Sequence, residues 1–84
     1  MLMVETRIVA ELSGRIISLS VGVGDKVGEG QEVAVVEAMK MEIPLASPVS
    51  GVVVGVFCQP DEMVSEGAPI LSIKFASEEG SHDA

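Results

Sequence analysis

A single lysine carries the strongest chemical signal in this sequence. Lys40 stands between Met39 and Met41, inside the run Glu37-Ala38-Met39-Lys40-Met41-Glu42. Folding residues 33–46 about Met39-Lys40 makes a hairpin. One face then pairs Ala38 with Met41, Val36 with Ile43 and Ala34 with Leu45, all apolar, and is the expected core side. The other face sets Glu37 against Glu42 and Val35 against Pro44. A two-residue hairpin turn needs positive φ at both central residues and favours Asn-Gly. Met-Lys is a poor choice there, and so are two glutamates facing each other behind it. Departures of this kind from local rules mark functional positions. By contrast Lys26 lies among Gly and Asp residues, where a solvated lysine is expected.

No other grouping competes. The chain has one cysteine and one histidine, too few for an internal disulfide or a zinc cage. Cys58 follows Val56-Phe57 and reads as a buried thiol acting as a small hydrophobe. No His, Cys, Ser and Asp converge at catalytic spacing, so the chain is not expected to be an enzyme, and no metal site is expected.

The elements that must position Lys40 follow from composition. The chain has 84 residues, 48% of them hydrophobic and 21% charged, enough for one ordered domain. Fourteen valines and six isoleucines favour strands. Nine glycines and four prolines leave no stretch longer than 13 residues free of both. Long helices, coiled coils and a membrane-spanning helix are excluded on that ground. The net charge of −8 and only two aromatic residues argue against nucleic acid and anionic membrane as partners. Met1–Val4 run directly into Glu5 and Arg7 without a signal-peptide pattern, which makes the cytoplasm the expected compartment.

An internal repeat organises the strands. Residues 13–37 align without gaps on 50–74, with identities at Ser13/Ser50, Gly14/Gly51, Val27/Val64, Glu29/Glu66 and Gly30/Gly67. Each copy reads strand, turn-rich loop, strand: 15–21, 22–30 and 32–37 in the first, then 52–58, 59–67 and 70–75. Two such units must bury their apolar faces on each other, giving an all-β sandwich or flattened barrel with an approximate twofold axis. The axis places the linker 38–49 and the chain ends at related, opposite positions. Residues 38–41 are therefore expected in solvent at one end. The folded domain is expected over residues 1–76, with an acidic, disordered tail at 77–84.

Glu37-Ala38-Met39-Lys40-Met41-Glu42, with Ala46-Ser47-Pro48-Val49-Ser50-Gly51 after it, resembles the attachment motif of biotinyl carrier domains. The loop Gly24-Asp25-Lys26-Val27-Gly28-Glu29-Gly30-Gln31 is similar to that family's approach to its hairpin. The resemblance covers residues 5–75. It implies a flattened β-barrel of two four-stranded antiparallel sheets and covalent biotin on Lys40. Ala38, Met39 and Met41 would flank the modified amine, and Glu37 and Glu42 would face the enzymes that recognise the tip. It further implies a biotin protein ligase as modifying enzyme. The attached group would carry carboxyl, as carboxybiotin, between a biotin carboxylase site and a carboxyltransferase site of a biotin-dependent carboxylase. Gln59-Pro60-Asp61-Glu62 departs from the Gly-Asp turn common in the family. The chain also lacks the protruding insertion of some acetyl-CoA carboxylase carriers, and so resembles the type found in pyruvate and propionyl-CoA carboxylases.

Two alternatives are distinguishable. A lipoyl or dual biotin/lipoyl attachment domain shares the hairpin lysine, but lipoyl hairpins usually carry Asp-Lys-Ala. A pure protein–protein adaptor of the hybrid-barrel type would lack the attachment lysine.

Overall fold

In the computed structural model, which describes residues 2–77, eight β-strands and no helix are present. They are β1 (Leu2–Val9), β2 (Gly14–Leu19), β3 (Lys26–Val27), β4 (Glu32–Ala38), β5 (Met41–Ala46), β6 (Gly51–Val56), β7 (Met63–Val64) and β8 (Pro69–Ser77). One antiparallel sheet has the order β1-β8-β6-β3 and the other β5-β4-β2-β7. The two sheets stay separate, so the fold is a flattened sandwich and not a closed barrel. β8 runs to Ser77, which pairs with Leu2, one residue past the domain boundary read from the sequence. The rest of the expected tail, 78–84, lies outside the described residues.

The loops of the repeat are more regular than their composition suggested. Residues 22–30 and 59–67 each contain a two-residue strand, β3 and β7, that completes the opposite sheet. Lys26 is thus an exposed strand residue, paired with Val52, and not a loop lysine.

The twofold relation extends to individual bonds. Ser13 Oγ accepts from Glu66 N–H at 3.0 Å, and Ser50 Oγ from Glu29 N–H at 2.9 Å. The bulge between Ile16 and Ser18 in β2 recurs between Val53 and Gly55 in β6. A Cβ on Gly14 would lie 2.3 Å from the Glu37 carbonyl oxygen, and one on Gly51 would lie 2.3 Å from that of Lys74. These contacts explain the repeated Ser-Gly and Glu-Gly pairs. Serine caps the loop of the other unit, and glycine lets two strands cross closely. Because each unit supplies the cap for its mate, the two are locked into one core.

That core is aliphatic. Ile16, Val33, Ala34, Val53, Ile70, Leu71 and Ile73 are fully enclosed between the sheets. Val36 and Leu45 extend it toward the hairpin formed by β4 and β5. Cys58 is buried in it, as expected. Burial, and secondarily the nearby Glu62 carboxylate, pushes its thiol pKa upward, so it is an inert packing group.

Candidate functional site

The β4–β5 hairpin has the register that its hydrophobic pattern dictates. Ala38 pairs with Met41, Glu37 with Glu42, Val36 with Ile43, Val35 with Pro44 and Ala34 with Leu45. Only Met39 and Lys40 remain for the turn, and both adopt left-handed backbone, with φ of 54° and 64°. Two consecutive positive φ values give the turn the twist of the flanking strands. For residues with side chains each costs roughly 1–2 kcal/mol. The hairpin can hold that strain because its stem is anchored: Ala34 and Val36 are in the core and Ala38 is 4% exposed.

Ala38 is packed, as its place on the apolar face of the hairpin implies and against the expectation of solvent for the whole of 38–41. Met41, its partner on that expected core face, is in solvent. The Ala38 methyl group sits beside Gly14, where an added Cβ would come within 3.1 Å of it. A small residue is required there because β2 crosses directly beneath. Exposure begins abruptly at the next residue. Met39 and Met41 are 81% and 63% exposed, and Lys40 is exposed between them. A rigid stem therefore ends in a short solvent-facing tip with one amine.

The electrostatics behind the tip differ from the expectation of two unrelieved glutamates. Glu37 and Glu42 do face each other across the strands. However, Arg15 on β2 donates from Nη2 to Glu37 Oε1 at 3.1 Å and from Nη1 to Asp61 Oδ1 at 2.8 Å. The guanidinium neutralises Glu37 and ties the hairpin to the second repeat's loop. Glu37 is thus a structural partner of Arg15, and Glu42 is the glutamate left facing solvent. Arg15, Glu37, Gly14, Met39, Lys40 and Met63 line an open, shallow groove beside the turn.

The family model described as "Biotin-requiring enzyme" (biotin/lipoyl) matches residues 4–73. The chain belongs to the biotin/lipoyl attachment family. A biotin/lipoyl attachment protein of Bacillus subtilis is 38% identical over 63 residues, which cover 75% of this chain and 86% of that protein. The mitochondrial propionyl-CoA carboxylase alpha chain of Homo sapiens is also 38% identical over 63 residues, but these make up only 9% of its length. A solved single-chain, multi-domain long-chain acyl-CoA carboxylase superposes with a TM-score of 0.80 at 30% identity, over 87% of this chain and 7% of that one. A relative that this chain spans nearly end to end is named as a carrier: the biotin carboxyl carrier protein of acetyl-CoA carboxylase of Solanum lycopersicum is 37% identical over 67 residues, 80% of this chain and 96% of that protein.

Within the family frame, three features of the site were not apparent from the sequence. Arg15 is one residue past the repeated Ser13-Gly14 pair, and its counterpart in the second copy is Val52, so the repeat gave no hint of it. Asp61 is a second: with φ of 72° it takes the place of Gly24, whose φ is 96°. The departing Gln59-Pro60-Asp61-Glu62 segment therefore keeps the shape of the first copy. Gln59 N–H donates to Glu62 Oε1 at 2.9 Å, as Gly22 N–H does to Asp25 Oδ2 at 2.8 Å. Met63 is the third, 70% exposed on β7 beside the turn. The residue types alone carried no signal for it.

Proposed function

We propose that this chain is a biotin carboxyl carrier, modified on Lys40 Nζ and serving a biotin-dependent carboxylase. The supporting observation is the Met39-Lys40 turn. It holds the one tip amine on positive-φ backbone, in solvent, at the end of a stem whose last residue, Ala38, is buried.

The residues present fit the group. Lys40 is exposed between the exposed Met39 and Met41, at the edge of an open groove, which leaves Nζ accessible to an acyl donor. A biotin protein ligase must present an activated biotinyl acyl group. Nζ, as the free amine, attacks the acyl carbon; the bond to the activating group breaks with its electron pair, and the nitrogen gives up one proton as the amide forms. When attached, biotin supplies a ring nitrogen that accepts a carboxyl group in a biotin carboxylase site and yields it in a carboxyltransferase site.

The protein's share of the work is mechanical. The lysine side chain plus the biotin arm give a reach of order 15 Å, counting bonds of about 1.5 Å. Tethering makes the second encounter effectively intramolecular, at concentrations around millimolar for a flexible link. The sandwich keeps the base of the arm stiff, so both active sites meet the same tip in one orientation. Because the chain spans a small fraction of the carboxylases it resembles, those active sites belong to other subunits or domains.

Intact-mass measurement after coexpression with a biotin protein ligase tests the reading. The expected result is one biotin per chain, lost completely in Lys40→Arg, with Lys26 and Lys74 unmodified. Comparable biotin on Lys40→Arg protein, or a lipoyl mass increment in cells supplying both ligases, would overturn it.

A further inference from the structure

Each sheet ends in two edge strands, so the fold has four: β1 and β3 in one sheet, β5 and β7 in the other. An edge presents unpaired backbone donors and acceptors to any strand that meets it, and stable monomers blunt such edges. Three of the four are blunted here. β3 and β7 are two residues long. β5 carries Pro44, which has no N–H, and the exposed Glu42. Its twofold mate β1 lacks a proline, and its exposed charges, Glu5 and Arg7, are of opposite sign, so a second copy of the strand can match them. The Arg7 guanidinium, 5.4 Å from the centroid of the Phe57 ring, would swing from that ring to do so. β1 spans eight residues, and among the described residues β8 is its one neighbouring strand. Leu2, Met3, Val4 and Val9 along it are 57%, 60%, 37% and 41% exposed.

We propose that β1 is a self-association edge, which pairs antiparallel with β1 of a second copy about a twofold axis at Thr6. Charge complementarity selects both the occupant and the register. The chain as a whole carries −8 and repels itself, but β1 holds one acid and one base, Glu5 and Arg7. Alternation puts both on the same face of the strand. Centring the pair on Thr6 sets Glu5 against Arg7 of the second copy and, by symmetry, Arg7 against its Glu5. Met3 then faces Val9, and Val4 faces Ile8. Centring on Glu5 would oppose two carboxylates, and centring on Arg7 would oppose two guanidinium groups. An isologous contact of this kind closes after two copies and does not propagate. It joins two four-stranded sheets into one of eight. The β4–β5 hairpin belongs to the other sheet, so Lys40 stays open in both copies.

Charge reversal tests it directly. Sedimentation velocity of the parent chain over about a hundredfold concentration range should show a shift toward twice the monomer mass. Glu5→Arg and Arg7→Glu each place like charges opposite one another and should weaken association about tenfold or more. An equimolar mixture of the two variants should associate again, because each introduced charge then meets its opposite. Melting curves establish that both variants fold. Should either be unfolded, Met3→Cys and Val9→Cys proteins replace them. Under mild oxidation these should cross-link in mixture and hardly at all alone, while the buried Cys58 takes no part. A parent that stays monomeric at every concentration overturns the proposal. So do single variants that dimerise like the parent, a charge-variant mixture that remains monomeric, and a cysteine mixture that fails to cross-link.

Discussion

The two halves of the domain share a backbone but not a chemistry. Residues 22–30 and 59–67 make the same turns from different sequences. Gly24 and Asp61 take the positive-φ position, and Asp25 and Glu62 accept the same backbone N–H. Glu62 N–H and Asp25 N–H close equivalent turns at 3.1 and 3.0 Å. At the ends the relation fails. At one end the Met39-Lys40 turn joins β4 to β5; at its twofold counterpart Leu2 of β1 and Ser77 of β8 pair as strands. Symmetric hydrogen bonds build the scaffold, and the site lies where the symmetry is broken. Arg15 underlines the point, since it joins Glu37 of one half to Asp61 of the other and has no counterpart.

The strongest way to test the equivalence is to fill both close crossings. Gly14→Val and Gly51→Val each drive a side chain into a backbone carbonyl 2.3 Å from the Cβ position. Each should cost about 3 kcal/mol or more, and by similar amounts. Chemical denaturation measures this, and a large inequality would mean that one half carries the fold. Cavity substitutions come next. Val36→Ala and its twofold mate Ile73→Ala, both buried, should lose about 1–4 kcal/mol. Ile43→Ala, only half-buried, should fall at the low end of that range.

The comparison sharpens at positive-φ positions. Replacing Met39-Lys40 with Asn-Gly should raise stability by about 1–2 kcal/mol while removing the modification site. Gly24→Ala in the scaffold loop should lower it by about 1 kcal/mol. Thermal melting of the two proteins against the parent decides. If the Asn-Gly hairpin proves no more stable, the turn carries no strain. The smallest effects concern the facing glutamates. Glu37→Gln loses a charge partner of Arg15 and should destabilise by up to about 1 kcal/mol. Glu42→Gln relieves a like-charge pair and should stabilise by a few tenths. Glu42→Gln should also flatten the salt dependence of KM in the ligase reaction, because steering by an exposed charge is screened over about 8 Å at physiological ionic strength. A flat salt response in the parent would reduce Glu42 to a solvated strand residue.

Much of this was legible in the chain itself. Period-two alternation and the turn position together set the hairpin register, because shifting it by one residue would expose Val36 and bury Glu37. The repeat revealed the twofold sandwich, since its identities fall at positions where the backbone leaves least choice of residue, Gly30 and Gly67 at φ of 85° and 87° among them. What escaped was decided across the fold, between residues distant in sequence. The short strands β3 and β7 exist because a neighbouring sheet edge supplies their partners, which no local pattern in 22–30 or 59–67 encodes. The burial of Ala38 depends on Gly14 passing beneath it. The neutralisation of Glu37 depends on a guanidinium 22 positions away in sequence, held at 3.1 Å by the pairing of β2 with β4. Local sequence determined the shape of the tip and the amine at its end. Tertiary contact alone decided which of its neighbours are buried, which are charged partners and which are left to solvent.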